Sequence, residues 1–377
     1  MSALSTEERL ARIRLNACLY LRADWLERLI SVFGSAQEIL RQDVATLSQE
    51  GLLSPATAEA LLKDAFSVDP QQEWDKTAAL GGHIYLPEDE EYPQSLRNCK
   101  EPPLAIYVLG QLPAETQACV GVVGTRKITP YGRRVARKLA EELSQCGVTV
   151  VSGLARGVDS EAHAAAVRQQ KPTIAVIGTG IGRCYPAENR ALEKAILAHG
   201  GAVISELPFD KPPHAFHFPR RNRLIAALSQ PVVVVEGEIK SGALITAKLA
   251  VENGKDVLAV PGPIDSPQSG GPNSLIRDGA GVVTSVADVL DYIPQPQRFG
   301  LDLRFFKREQ QTPVKPVEQL SEREQQVMQA VGDAQASLDQ VAEALQADVP
   351  EAATLLFDLE VKGFLACENG LYSKSKF

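Results

Sequence analysis

The stretch HFPRRNRLIAALSQP places three arginines, Arg220, Arg221 and Arg223, within four consecutive positions. Guanidinium groups this close repel one another unless an anion or neighbouring carboxylates neutralise them. The planar guanidinium also matches the geometry of phosphate oxygens. The cluster therefore predicts an anion-binding site, with ion pairing to carboxylates as the alternative.

Small and basic residues also follow other apolar runs. The first two such loops carry Gly124, Thr125 and Arg126, and then Ser152, Gly153, Arg156 and Gly157. A later loop carries Ser241 and Gly242, which can open a helix. Glycine lets the backbone approach a phosphate, and a helix N-terminus supplies unpaired N–H donors. Together these loops predict an anion groove.

Several patterns have competing interpretations. The glycines of GTGIGRC lack the G-x-G-x-x-G spacing of a dinucleotide-binding loop, which favours a tight phosphate-binding or packing turn. His214 and His217 have no third metal ligand nearby, so no metal site is predicted. Asp159 and His163 are one helical turn apart, but capping by Asp159 is favoured over acid–base chemistry. The basic segment 133–138 is either a solvated helix face or part of the groove.

No pattern of catalytic residues emerges. The sequence contains no nucleophile elbow, no P-loop, no paired catalytic carboxylates and no cysteine–histidine set. Its six cysteines are scattered without a C-x-x-C pair, which argues against a zinc site or a disulfide framework. We therefore predict a binding protein rather than an enzyme, with no cofactor.

A scaffold must bring these loops together. Seven Val-rich runs alternate with helical segments, and they read ACVGVVG, VTVVSG, TIAVIG, AVISEL, PVVVVEG, DVLAVPG and GVVTS. Continuous apolar runs are typical of strands buried on both faces, and the alternation predicts a parallel, doubly wound α/β sheet. Ligands of such sheets bind beyond the carboxyl ends of the strands, where the basic loops lie.

The flanks differ from this middle segment. Residues 1–80 show apolar residues at helical spacing and are predicted to form a small helical domain. The α/β domain is predicted over 81–293, with a first strand at Leu104–Val108, and a Pro-rich linker over 294–317. Residues 318–377 show three short helices and an apolar tail with a turn at Asn369–Gly370, an order that fits a winged-helix module.

Charge is distributed unevenly among these segments. Residues 116–281 hold 20 Lys and Arg against 14 Asp and Glu, whereas residues 1–115 have a net charge of −8 and residues 282–377 one of −6. A basic middle between acidic ends is consistent with an anionic ligand in the middle. The N-terminus lacks the apolar run of a signal peptide, so a cytoplasmic protein is expected.

The middle segment resembles the DNA-processing protein A family, also called DprA or Smf. The matching motifs are EEYPQSLRNCKEPPLAIYVLG, VGTRKITPYG, VSGLARGVDSEAHAAA, IGTGIGRCYPAEN, HFPRRNRLIAALS, VVVVEGEIKSGALITAKLAVENGKDVLAVPGPI and GPNSLIRDGA. They follow one another from about residue 90 to residue 290. Such a series of motifs is far more specific than any one of them.

The resemblance implies both a fold and a function. The fold is an extended Rossmann-like domain, with an N-terminal module like sterile-alpha-motif or helix-hairpin-helix domains and a C-terminal winged-helix-like domain. The implied function is to bind single-stranded DNA as a homodimer, shield it from nucleases and help load the RecA recombinase during natural transformation.

The same resemblance implies a set of DNA-contacting residues. The set comprises Gly124, Thr125, Arg126, Ser152, Gly153, Arg156, Lys211, Arg220, Arg221, Arg223, Ser241 and Gly242, with Asn222 orienting the fourth loop. Aromatic residues in these loops could provide stacking platforms, and the candidates are Phe216, Phe218 and Tyr185, with core packing favoured for Phe218.

Two other functions remain open from the residues. The same fold serves nucleotide hydrolases, but their PGGxGTxxE signature is not matched by VPGPIDSPQSGGPNS. If the chain were such an enzyme, Glu206 or Glu236 would be the carboxylate to test. A nucleotide-sensing scaffold is the third interpretation.

Overall fold

The computed structural model describes residues 4–49, 52–298, 300–302, 320–332, 336–362, 364–368 and 370–374. The chain divides into two compact units, Met1–Phe305 and Phe306–Phe377. The predicted linker lies outside the described residues from position 303 onward, so the predicted domain boundaries stay predictions. Among the described residues, no helix is long and apolar enough to cross a membrane.

The first unit begins with a helical segment. Its helices are α1 Thr6–Leu15, α2 Ala23–Phe33, α3 Ala36–Leu40, α4 Val44–Leu47, α5 Pro55–Phe66 and α6 Pro70–Ala79. The side chains of Ser5, Ser35 and Ser54 accept backbone N–H bonds at the starts of α1, α3 and α5, which satisfies donors that a helix leaves unpaired. Leu15 and Leu29 are among the apolar residues that fill the core of this segment.

Nine strands of the described residues form one sheet. They are β1 His83–Tyr85, β2 Ile106–Gly110, β3 Cys119–Val123, β4 Thr149–Ser152, β5 Thr173–Val176, β6 Ala202–Ser205, β7 Pro231–Val234, β8 Asp256–Ala259 and β9 Gly281–Val282. Their order is β1-β2-β6-β5-β4-β3-β7-β8-β9. All pairs are parallel except β1 with β2 and β2 with β6. The predicted mostly parallel α/β sheet is confirmed.

The strand order reverses direction at β3. The chain moves from β3 to β6 on one side and then returns to place β7 against the other side of β3. The loops after β3 and β7 therefore lead to opposite faces of the sheet. A doubly wound sheet binds its ligand in the gap between two such loops.

The helices that cover the sheet follow in chain order. They are α7 Gln94–Arg97, α8 Pro130–Gln145, α9 Val158–Arg168, α10 Arg190–Ala198, α11 His217–Leu228, α12 Gly242–Glu252, α13 Gly270–Arg277, α14 Val286–Leu290 and α15 Gln295–Arg298. Alternate residues of one strand enter different cores: Val108 packs with α11 and α12, whereas Tyr107 packs on the face that contacts α10. The sheet is thus buried on both faces, which explains the continuous apolar runs.

The second unit contains a small helix and strand module. Its elements are α16 Glu322–Val331, β10 Ala336–Ser337, α17 Leu338–Leu345, α18 Val349–Val361, β11 Leu365–Glu368 and β12 Leu371–Lys374. The strands pair in the order β10-β12-β11. Gly370, at the predicted turn between β11 and β12, has a φ of +80°, and Asn369 lies outside the described residues. Three helices followed by a β-hairpin fit the predicted winged-helix architecture.

Candidate nucleic-acid interface

A groove of about 750 Å³ opens at the carboxyl edge of the sheet. The loops after β3 and β7 line two of its sides, over 123–127 and 238–246, and segment 213–222 lines a third. We call it the sheet-edge groove. It occupies the switch point between β3 and β7, where an open α/β sheet binds its ligands.

Arg126 is the most prominent cation of this groove. Its side chain is exposed, and its guanidinium carbon lies 5.0 Å from the ring centroid of Phe218. The Phe218 ring in turn lies 5.6 Å from that of Tyr185, which is 39% exposed. An arginine stacked on an aromatic ring keeps its edge donors free for a phosphate, while the rings offer faces to a base.

Two lysines extend this positive surface. Lys127 and Lys240 line the groove and are exposed. Within the described part of the chain, no ion pair joins Arg126, Lys127 or Lys240 to a carboxylate. Positive charge that no internal carboxylate neutralises is available to an anionic ligand.

The N-terminus of α12 also faces the groove. Ser241 is its N-cap residue, yet it makes no capping bond, and its Oγ has no hydrogen-bond partner among the described residues. A Cβ on Gly242 would meet nothing within 4 Å, so the approach to this helix end is open. The Asn222 side-chain amide donates to the Gly242 carbonyl at 3.3 Å and holds α11 against it. A helix N-terminus with unpaired N–H groups attracts anions.

Arg221 forms the floor of the groove. It is 4% exposed and donates hydrogen bonds to the Gly153 carbonyl at 2.6 Å and to the Val176 carbonyl. Burial lowers the pKa of Arg221 to about 10, while the nearby Asp159 carboxylate opposes this shift. Asp159 itself accepts the backbone N–H of Gly153 at 3.1 Å, and burial raises its pKa. Arg221 therefore fixes the loop after β4 and carries charge beneath the groove.

In the loops after β3 and β4, two backbone N–H groups donate to acceptors within the protein and are not free to bind a phosphate. The Thr125 N–H donates to the Glu236 carbonyl at 2.7 Å, and the Gly153 N–H is taken by Asp159. A Cβ at Gly153 would lie 2.5 Å from the Arg221 guanidinium. Glycine at this position is thus required by packing against Arg221, and the expectation that its backbone cradles a phosphate is not supported.

Arg220 and Arg223 do not line the groove, which corrects the expectation of three arginines acting together there. Both bind the Glu206 carboxylate, Arg220 Nε at 3.1 Å and Arg223 through Nη2. Arg220 also donates to the Leu19 carbonyl and Arg223 to the Glu101 carbonyl. We call this set the Glu206 cluster. For Arg220 and Arg223, the alternative of ion pairing to a carboxylate therefore holds, and that carboxylate is Glu206.

Three further predicted residues also lie outside the groove lining. Ser152 is fully buried and donates to the Val122 carbonyl at 2.6 Å, inside the sheet. Arg156 is exposed, but its Nε and Nη2 donate to Glu188, at 2.6 and 2.7 Å. Lys211 is half-buried, and its carbonyl accepts the Gly180 N–H at 2.8 Å. Position at a strand end was not sufficient to bring these side chains together.

The residues that the structure does bring together form a smaller set. Those from the predicted site that line the groove are Gly124, Thr125, Arg126, Arg221, Asn222, Ser241 and Gly242. Sequence reasoning assigned no role to Lys240, although a lysine directly before a helix N-cap at a strand end is a usable signal. Phe218, for which core packing was favoured, lines the groove.

The GTGIGRC loop, His163 and part of the basic segment 133–138 make contacts within the protein. The GTGIGRC loop packs on segment 208–211, because the N–H groups of Gly180 and Gly182 bind carbonyls there. His163 is buried against Thr173, with Nδ1 2.8 Å from its hydroxyl oxygen, and burial lowers its pKa to about 3. Of the segment 133–138, Arg133 and Arg137 pair with Glu161 on an exposed surface. No group of three metal-ligating side chains occurs among residues that the structure describes.

Fold and site together define a Rossmann-like α/β protein with a positively charged, aromatic-lined groove at its topological switch point. Comparison with known proteins then gives the family. Residues 83–294 match the family model DNA recombination-mediator protein A, and residues 311–370 match the DprA winged helix domain. The chain belongs to the DNA recombination-mediator protein A family, whose members are described as DNA-processing proteins.

Relatives cover most of the chain. Protein Smf of Escherichia coli is 38% identical over 338 residues, which is 88% of this chain and 87% of that protein. The DNA processing protein DprA of Streptococcus pneumoniae is 37% identical over 254 residues, 67% of this chain and 87% of its own. The X-ray structure of the S. pneumoniae protein superimposes with a TM-score of 0.64, at 30% identity over 78% of this chain and 99% of that one.

Proposed function

We propose that the sheet-edge groove binds single-stranded DNA without sequence preference. The observation that carries the proposal is Arg126, whose guanidinium has no ion pair among the described residues and lies over the Phe218 ring, in a groove that Lys127 and Lys240 also line. Cations that contact phosphates give sequence-independent affinity, and aromatic faces add base stacking.

The same arrangement favours a single strand over a duplex. Stacking on Phe218 or Tyr185 requires a base with a free face, which a paired and stacked duplex does not offer. The loops that line the sheet-edge groove enclose a channel and do not themselves present a helix that could enter a major groove. The acidic charge of the chain outside residues 116–281 also opposes duplex binding elsewhere.

The proposed role is that of a mediator in natural transformation. The chain would coat and protect incoming DNA in the cytoplasm and help load the RecA recombinase on it. Membership of the DNA recombination-mediator protein A family supports this role. A homodimer is part of the proposal, and the exposed apolar side chains of Ile239 and Val251, which line a second groove of about 780 Å³, supply a surface suited to self-association.

The surroundings of Glu206 and Glu236 argue against a catalytic role for either carboxylate. Glu236 accepts hydrogen bonds from the Thr129 N–H at 3.0 Å and the Thr129 hydroxyl at 2.5 Å, at the start of α8. Glu206 is held by two arginines. Both candidates for a hydrolase therefore have structural partners, and we propose a non-enzymatic protein. A mononucleotide that bound more tightly than oligo-dT would instead support a nucleotide sensor.

The test is a titration of labelled oligo-dT and a matched duplex at two salt concentrations. We expect tighter binding of oligo-dT, and a roughly tenfold loss of affinity in Arg126→Ala with a shallower dependence on salt. Arg168→Ala is the matched control, since Arg168 is exposed, pairs with Glu141 and does not line the groove. Equal losses in both variants, or none in Arg126→Ala, would contradict the assignment of the groove.

A further inference from the structure

Two exposed aromatic rings meet beside the sheet-edge groove. Tyr20, in the turn after α1, is 63% exposed, and Phe216, directly before α11, is 50% exposed. Their ring centroids lie 6.3 Å apart and their planes are tilted by 36°. The helical segment and the α/β sheet thus contribute one ring each to a single surface, the Tyr20–Phe216 platform.

Arg220 links the two chain segments that carry these rings. It lies in the first turn of α11, four positions after Phe216. Its guanidinium donates to the carbonyl of Leu19, the residue before Tyr20, and to Glu206. The Arg220 side chain remains 23% exposed. A partly exposed cation therefore ties the turn that carries Tyr20 to α11, which Phe216 directly precedes.

The platform continues from the groove along the chain. Pro213, His214 and Ala215 line the groove, and Phe216 is the next residue. Phe218, two positions further, faces the groove and contacts Arg126 and Tyr185. The segment thus presents one aromatic ring to the inside of the groove and another to its outside. A polynucleotide that leaves the groove across residues 213–215 reaches the platform next.

We propose that Tyr20 and Phe216 stack on a base of single-stranded DNA that leaves the sheet-edge groove, so that the helical segment supplies part of the DNA site. The inference rests on the proposed function, because it needs DNA in the groove. A protein partner is disfavoured by the adjoining positive surface of Arg126 and Lys127, which suits a polyanion. Rings with open faces next to a phosphate-binding surface are the usual arrangement of a single-strand site.

The test measures affinity for oligo-dT as a function of length, over about 4 to 16 nucleotides, the range of single-strand site sizes. Tyr20→Ala should leave the shortest bound oligonucleotides unaffected and weaken the longer ones by about tenfold, the loss of one base–aromatic stack. Tyr20→Trp should restore binding, because it keeps a ring with a free face. Phe66→Ala is the control, since Phe66 is an exposed aromatic of the same helical segment, at 57%.

A second measurement reports contact directly. Oligo-dT carrying one iododeoxyuridine is irradiated on the full chain, and the crosslinked peptide is identified as the substituted position moves along the oligonucleotide. We expect crosslinks to Tyr20 or Phe216 only when the substituted base lies toward one end of a long oligonucleotide. Crosslinks confined to groove residues, at every position, would overturn the inference.

The two proposals fail in different ways. If Arg126→Ala weakens binding at every length while Tyr20→Ala changes none, DNA binds the groove and the platform inference is wrong. If wild-type protein binds no oligo-dT at all, the proposed function itself is wrong. Equal losses in Tyr20→Ala and Phe66→Ala would indicate a general effect on the helical segment and would also overturn the inference.

Discussion

Arg126 differs from Arg156, Arg220 and Arg223 in having no carboxylate partner in the described part of the chain. Arg156 has Glu188, and both Arg220 and Arg223 have Glu206. An arginine with an ion pair must give up that pair before it can bind a phosphate, which cancels part of the gain. The strength of DNA binding is therefore expected to depend on Arg126 more than on the larger cluster.

His163 gives a pH-dependent prediction at the residue scale. Because burial holds its pKa near 3, against about 6.5 in an unfolded chain, the unfolded state binds an extra proton between these values. The stability contributed by neutral His163 is thus complete above about pH 6.5 and is lost as the pH falls toward 3. The free energy of unfolding should decrease by up to about 1.4 kcal/mol per pH unit from this residue.

His163→Asn removes the titrating group while keeping a polar atom for Thr173. Denaturant unfolding between pH 4 and pH 7 should show a shallower pH dependence in this variant than in the wild type. His83→Asn serves as the control, because His83 is exposed. A wild-type slope retained in full by His163→Asn would rule out this origin.

The residues at the sheet edge could be predicted from the sequence, but the carboxylates that pair with some of them could not. Gly124, Thr125 and Arg126 follow a strand directly, so their position at the sheet edge is local information. Arg223 and Glu206 are 17 residues apart and meet only because β6 and α11 pack together. Such a pairing depends on tertiary structure, and the charge pattern alone could not separate an internal ion pair from a ligand site.

At the scale of elements, the open N-terminus of α12 gives a prediction with two readouts. Gly242→Asp places a carboxylate where a phosphate would bind, and no atom within 4 Å opposes a new Cβ. The carboxylate should stabilise the helix by about 0.3 to 1 kcal/mol and weaken oligo-dT binding severalfold. Gly242→Ala is the matched control and should bind DNA like the wild type. Thermal unfolding and DNA titration measure the two effects, and a variant that bound DNA normally would exclude this helix end from the site.

Most strands could be predicted because β3 to β8 are short apolar runs bounded by Gly or small polar residues. The short strand β1 was missed, because the first strand was predicted at Leu104–Val108. It has only three residues and pairs at the edge of the sheet with β2, so its sequence has little room for a pattern. Helix α6 lies within the segment predicted to be helical, and its start shows sequence signals, because Asp69 caps it and Pro70 begins it.

At the scale of the molecule, the acidic second unit gives a test by truncation. Residues 303–377 hold 8 Lys and Arg against 12 Asp and Glu, a net charge of −4, which repels a polyanion at low ionic strength. A chain ending at residue 302 should bind oligo-dT about as tightly as the full chain at high salt and somewhat more tightly at low salt, because the repulsion is screened by ions. Fluorescence anisotropy at both salt concentrations measures this difference. Loss of binding in the truncated chain would show that the second unit supplies DNA contacts.

The helical segment and the sheet are joined by polar contacts as well as by apolar packing. Asn16 Nδ2 donates to the Glu206 carbonyl at 2.9 Å, and the Tyr107 hydroxyl donates to Glu73 of α6 at 2.8 Å. Both pairs are buried, so breaking either leaves a polar group without a partner, at a cost of about 1 to 3 kcal/mol. These contacts link the helical segment to the sheet within the compact unit of residues 1–305.

The Glu206 cluster also constrains how the gene for such a protein can change. Arg220 and Arg223 take their acceptors from three separate parts of the chain: Leu19, Glu101 and Glu206. A recombination event that exchanged the first helices for an unrelated module would remove the Leu19 carbonyl, and the partly exposed Arg220 would lose one of its acceptors. The helical segment is therefore expected to be inherited together with the α/β sheet and not to be exchanged separately between genes.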